Sequence, residues 1–214
     1  MPDLRVEVHD VAAIPFAAAP MLGFQLGISN RGGESIQAVN LRCQIQIEPA
    51  RRRYTALDQE RLLDLFGEVS RWGQTLRTML WTHTSVTVPA FTEHTVCELP
   101  VACTFDFNVA ATKYFYGLEE GSVPLCLQFS GTVFYLNETG ALQASPISWN
   151  EETRFELPIK VWKDMIELYY PDTAWICLRR DVFDRLYRYK AENMIPTWEE
   201  SVERFTSALP EVAH

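Results

Sequence analysis

Residues 39–48 read VNLRCQIQIE, and this stretch decides the fold. Val39, Leu41, Cys43, Ile45 and Ile47 fall on one face, while Asn40, Arg42, Gln44 and Gln46 fall on the other. A period of two held this long specifies a strand with one buried face. The same alternation precedes it in residues 21–30, MLGFQLGISN, with Leu22, Phe24, Leu26 and Ile28 aligned. The intervening NRGGE supplies a glycine turn, so the two segments are predicted to form an antiparallel hairpin. Further strands are expected at 4–8, 80–88, 92–99, 142–149 and 153–158, with Pro89 at a turn. Residues 123–136, VPLCLQFSGTVFYL, form the longest, with Leu125, Leu127, Phe129, Gly131, Val133 and Tyr135 on one face. Gly131 sits where a side chain would crowd a neighbouring strand. About seven or eight strands joined mostly by short turns predict a mainly β, α+β chain, built as an antiparallel sandwich with short inserted helices.

The inserted helices announce themselves by a change of period. Thr55 followed by Asp58 reads as a helix N-cap, and Leu57, Leu62, Leu65 and Phe66 share a face that Gly67 ends. A second short helix starts near Ser70 and carries Trp72 and Leu76, and a third covers 108–118. From residue 159 the pattern is helical. Ile159, Trp162, Ile166 and Tyr169 precede a stop at Pro171, and an apolar run at 174–178 is expected to pair at an edge. Val182, Leu186 and Tyr189 mark a further helix. Thr197 and Glu200 form a capping box ahead of Trp198, Val202, Phe205 and Leu209. The expected organisation is a sandwich over residues 1–158, with helices over 159–214 packed on it in one compact domain, since that segment is too short to stand alone.

A formal net charge of −9 argues against general nucleic-acid binding, which needs a field that attracts phosphate. The opening MPDLRVEVHD lacks the basic and apolar regions of a secretion signal, and no stretch approaches the roughly 20 apolar residues of a membrane span. A soluble cytoplasmic protein is expected. Its five cysteines include no CxxC pair, and Cys43, Cys97 and Cys126 lie in apolar segments, which predicts reduced, mostly buried thiols.

Catalytic signatures are missing: there is no GxSxG elbow, phosphate loop, GxGxxG or HExxH. His83 and His94 flank Pro89 and could meet across a hairpin. They would either begin a metal site with Glu93 or Cys97, or be ordinary surface histidines. The second reading leaves no metal and no cofactor. Carboxylate pairs such as Glu119-Glu120, Glu151-Glu152 and Glu199-Glu200 read as solvated turns and helix starts.

Two basic clusters stand out. Arg51, Arg52 and Arg53 follow a strand and precede a helix, where Asp58 and Glu60 can pair with them and leave donors for a partner. Arg179, Arg180, Arg185, Arg188 and Lys190 interleave with Tyr187 and Tyr189, residue types favoured in interfaces. These support a non-catalytic module that binds a protein partner through Arg51, Arg52, Arg53, Arg179 and Arg180, with Trp72 and Trp81 as apolar anchors. The alternative is an enzyme or small-ligand binder, its pocket between sandwich and C-terminal helices lined by His83, Arg53 and Tyr114. A third reading is a structural subunit that closes an open strand edge by self-association.

The segments LRCQIQIEPARRRY, RLLDLFGEVSRWGQTLRTMLWTH, VTVPAFT, KYFYGLEEGSVPLCLQFSGTVFY and LRRDVFDRLYRYK resemble a bacterial family of roughly 200-residue proteins that form a domain of unknown function. The resemblance runs over nearly the whole chain. It implies a chain encoded near nickel–iron hydrogenase genes and, through that placement, an accessory role in assembly, and brings no catalytic residue with it. The lack of Cys pairs and His-rich tracts favours a scaffold over a metal carrier.

Overall fold

The computed structural model describes residues 2–107, 109–148 and 150–207. These contain eight strands in two antiparallel sheets, with seven α-helices, an α+β sandwich. One sheet has the order β1 (Leu4–Ala13), β2 (Met21–Asn30) and β5 (His94–Ala102). The other has the order β4 (Met79–Val88), β3 (Ile36–Ile47), β6 (Ser122–Leu136) and β7 (Leu142–Pro146). A further strand, β8 (Glu152–Pro158), also pairs with β6. The first part of β6 carries β8 and the last part carries β7. The expected strand at 142–149 ends at Pro146, and Trp149 lies outside the described residues.

The alternation of β3 is realised: Val39, Leu41, Cys43, Ile45 and Ile47 are all buried, and face a core that includes Leu22, Phe24, Leu26 and Ile28 of β2. The predicted hairpin between β2 and β3 does not form. The chain crosses there from one sheet to the other, so both strands turn their apolar faces inward. Asn30 is the pivot. Its side-chain oxygen accepts from the N–H groups of Asp3 and Gly32, and its amide donates to the carbonyls of Glu34 and Thr92. A second crossing joins β4 to β5, where a hairpin was expected around Pro89. His83 therefore pairs in register with Gln44 in one sheet, and His94 with Ser29 in the other. That separation removes the hairpin basis for a His83–His94 metal site.

Gly131 of β6 has φ +141, and a Cβ there would lie 1.9 Å from the carbonyl oxygen of Asn40, as the crowding argument anticipated. In the other sheet, the edge of β1 is closed by a side chain at Val6. Glu151 is buried and accepts from the Val6 N–H at 2.8 Å and from Arg5 at 3.1 Å. It was expected in solvent. Instead it occupies the place of a missing strand partner for Val6.

The single helix expected after Thr55 is two short ones, α1 (Ala56–Arg61) and α2 (Leu63–Phe66), followed by α3 (Trp72–Thr75). Thr55 and Asp58 form a reciprocal capping box at the start of α1. Next come α4 (Ala110–Gly117) and α5 (Ile159–Tyr169), the latter carrying Ile159, Trp162, Ile166 and Tyr169 as the periodicity predicts. Asn108, assigned to the third inserted helix, lies outside the described residues. The run at 174–178 forms no strand among the described residues, though Trp175 makes an isolated bridge with Asp106.

By contacts the chain divides into Met1–Trp175 and Ile176–His214, so α5 belongs with the sandwich and the division falls later than residue 158. The second unit holds α6 (Arg180–Glu192) and α7 (Trp198–Thr206). Trp198 packs on Phe183 and Tyr187, and Tyr189 on Phe205, while Ile195 and Ser201 are buried. Thr197 caps α7 by accepting from the Glu200 N–H. Leu209 lies outside the described residues. No helix among the described residues is long and apolar enough to cross a membrane.

Candidate functional site

A ladder of aromatic rings leads from the sandwich core to the surface. Phe155 meets Phe24, Phe24 meets Trp81, and Trp81 meets Phe115 at 4.9 Å. Phe115 of α4 stacks on Trp162 of α5 at 5.2 Å and 16°, which locks the two helices together. Trp162 then touches Phe105, and Phe105 stacks on Tyr170 at 5.9 Å and 12°. Trp81 takes its place through a bulge: the register steps from Ile45↔Thr82 to Gln46↔Leu80, which leaves Trp81 as the extra residue.

The ladder ends in an open cleft of about 1000 Å³. Its floor is apolar, from Phe105, Phe107, Trp162, Ile166 and Tyr170, with half-exposed Tyr116 standing at 4.6 Å from Phe107. Charged groups ring it: Arg61 and Asp64 from α1 and α2, Lys113 from α4, Lys163 and Glu167 from α5, and Asp172 beyond it. Asp172 has φ +52, a left-handed conformation that an aspartate tolerates at a turn. Lys113 and Asp64 neutralise one another at 2.6 Å. Lys163 donates to the carbonyl oxygen of Glu119 at 3.0 Å. Partial burial, and then the Arg61 guanidinium, draw the Lys163 ammonium below the ordinary lysine range. The carboxylates of Glu119 and Asp58 act the other way and more weakly.

The arginine triplet does three different things. Arg52 turns inward: its guanidinium lies 3.5 Å from Asp58 and donates to the carbonyls of Glu120 and Ser122. Asp58 is wholly buried, accepting also from the N–H groups of Thr55 and Glu119. Gly121, with φ +85, lets the Arg52 guanidinium pass close to the backbone. Arg51 pairs with Glu48 at the surface, and Arg53 is exposed. A smaller cleft of about 350 Å³ adjoins all three, but Asp58, Glu120 and Glu156 share its wall, so its charge is mixed. The expected pairing thus runs through Asp58, with no ion pair from the triplet to Glu60 among the described residues.

Trp72 is buried against Tyr54 and Phe66, with its indole N–H given to the Gly67 carbonyl, so it is not available as an exposed anchor. Trp81 is half-buried in the ladder. His83 is exposed on β4, 3.0 Å from Gln44. Tyr114 is fully buried, its hydroxyl 2.8 Å from that of Tyr54, and burial pushes its ionisation well above the ordinary range. The pocket expected from His83, Arg53 and Tyr114 is therefore not assembled: none of the three lines the large cleft. Arg179 and Arg180 are exposed at the start of α6, with Arg179 paired to Asp181 at 3.3 Å. No group of three His, Cys, Asp or Glu side chains that could hold a metal occurs among the described residues. Sequence reasoning missed Arg61, Lys113, Tyr116 and Lys163. No motif or spacing in the sequence marked them.

A family described as of unknown function, DUF6084, matches residues 1–212. No curated protein matches. Among solved structures, the putative ApaA protein from Bordetella pertussis is 15% identical, covering 73% of this chain and 95% of that one, with a TM-score of 0.30. The CARDB domain of the PF1109 protein from Pyrococcus furiosus is 15% identical, covering 69% and 92%, with a TM-score of 0.25. A beta-glucosidase from Kluyveromyces marxianus is 8% identical, covering 72% and 15%, with a TM-score of 0.28. Scores this low carry neither fold nor function to this chain.

Proposed function

The chain belongs to DUF6084, a family of unknown function, and we propose that it is a non-catalytic protein-binding module serving the assembly of a bacterial complex. One observation carries this reading: the open cleft has a rigid aromatic floor and a rim of both charges. Tyrosine, tryptophan and arginine dominate the energetics of protein recognition, and a floor fixed in advance binds without an ordering cost. The Phe115–Trp162 stack supplies that rigidity. The exposed Arg179 and Arg180 offer a second contact region on α6. Nickel–iron hydrogenase is the complex to examine first, because the sequence resemblance points there.

The test places a photo-reactive phenylalanine analogue at Tyr116 on the cleft rim and, as control, at exposed Ser85 on β4. Cross-linking in the native cell should join one defined protein from position 116 and not from position 85. Equal capture from both positions overturns the reading. A small-ligand function of the same cleft is the second reading, favoured by its volume, which lies in the range of ligand pockets.

A further inference from the structure

The charges of the cleft are not evenly satisfied. Lys113 has Asp64 at 2.6 Å. Asp58 is spent on Arg52, Thr55 and Glu119. The Arg61 side chain forms no ion pair or hydrogen bond among the described residues, and the Lys163 ammonium has only a backbone carbonyl as acceptor there. Both side chains line the same cleft. Arg61 is exposed and Lys163 half-buried, so both can donate to an anion that enters the cleft. Glu167 is one helical turn along α5 from Lys163, yet makes no ion pair with it among the described residues.

The second element is the floor. Phe105, Tyr170 and Tyr116 line the same cleft as the cation pair. Their apolar faces suit an aromatic or bulky apolar group. We infer that the cleft recognises a carboxylate carried beside an aromatic or bulky apolar group, as in an acidic peptide segment, with Arg61 and Lys163 holding the carboxylate and Phe105, Tyr116 and Tyr170 holding the apolar part. This rests on the proposed function only in taking the cleft as a binding site. The cation pair selects the charge and the rings select the shape, so neither an inorganic anion nor a neutral aromatic satisfies both.

The experiment uses the full chain and three small probes of one shape: 3-phenylpropionate, its neutral amide and the corresponding amine. Chemical-shift titration of the protein locates and ranks them. The carboxylate should bind at the cleft about tenfold more tightly than the amide, as one charge-assisted contact in an open site supplies. The amine should bind more weakly still. Lys163→Met, which keeps the aliphatic stem, and Arg61→Leu should each bring the carboxylate down to the level of the amide and leave amide binding unchanged. Inorganic phosphate alone should bind weakly, and tight phosphate binding would replace carboxylate recognition with a simple anion site. Equal binding of carboxylate and amide in the unaltered chain overturns the inference even if a variant fails to fold. Carboxylate binding that does not reduce the yield of the cross-link from position 116, when added before irradiation, would keep the inference and defeat the reading of the cleft as a protein-binding site.

Discussion

The carboxylate of Asp58, with no solvent exposure, stands 3.5 Å from the guanidinium of Arg52, which is itself 8% exposed. Two charges withdrawn from water hold only because each has further partners: backbone N–H groups for the aspartate, carbonyls for the arginine. Removing either partner strands the other. Arg52→Ala or Asp58→Ala should cost about 3–5 kcal/mol, read from urea denaturation. Arg51→Ala and Arg53→Ala should leave the midpoint almost unmoved, since both side chains are solvated. A comparable loss from all three arginines would refute this division of labour.

Gly131 offers a sharper test. Alanine there would press a methyl group against the Asn40 carbonyl at 1.9 Å, on a backbone with φ +141. The strands β3 and β6 would have to part, and Gly131→Ala should lose more than about 3 kcal/mol, or fail to accumulate as soluble protein. A thermal midpoint within a few degrees of the unaltered chain would disprove it.

Glu151→Ala should strip the Val6 N–H of its acceptor and open the edge of β1. The expected cost is about 1–3 kcal/mol, together with faster aggregation on light scattering. Glu151→Gln retains an acceptor oxygen and should recover most of the loss.

The sandwich faces were readable because a period of two survives any tertiary arrangement: the inward set from Val39 to Ile47 follows from side-chain chemistry alone. The crossings were not. An NRGGE turn serves a hairpin or a passage between sheets, and the choice depends on Asn30 meeting Asp3 and Thr92, which local sequence does not contain. The triplet had the same difficulty. The turn at Pro49–Arg51 decides which arginine points inward, and three adjacent identical residues cannot reveal it. The cleft was least legible, since Arg61, Tyr116 and Lys163 converge only after α4 and α5 have docked through Phe115 and Trp162.

Thiol chemistry gives a prediction in pH. Burial pushes Cys43 and Cys103 up to about 12, from 9.0 for an unperturbed thiol. The folded chain therefore holds these protons more tightly than the unfolded one. Their contribution to stability is complete below about pH 9 and is lost as pH rises toward about 12. Raised Tyr54 and Tyr114 act in the same direction, so urea midpoints should fall steeply across this alkaline range. At neutral pH a thiol reagent should modify exposed Cys177 first and leave Cys43 and Cys103 untouched until unfolding. Prompt labelling of Cys43 would contradict its burial.

The pairing of β3 with β6 also sets a timetable. Its register joins Ile47 to Leu125 and Ile36 to Tyr135, so β3 leaves the ribosome long before its central neighbour exists. At about 5–20 residues per second, one edge of β3 waits several seconds for its strand partner. The intervening β4 can cover one edge of β3 in that interval, but not the other. The nascent chain is thus most exposed to misassociation between the synthesis of β4 and that of β6, which is when a holding chaperone would have the most to protect.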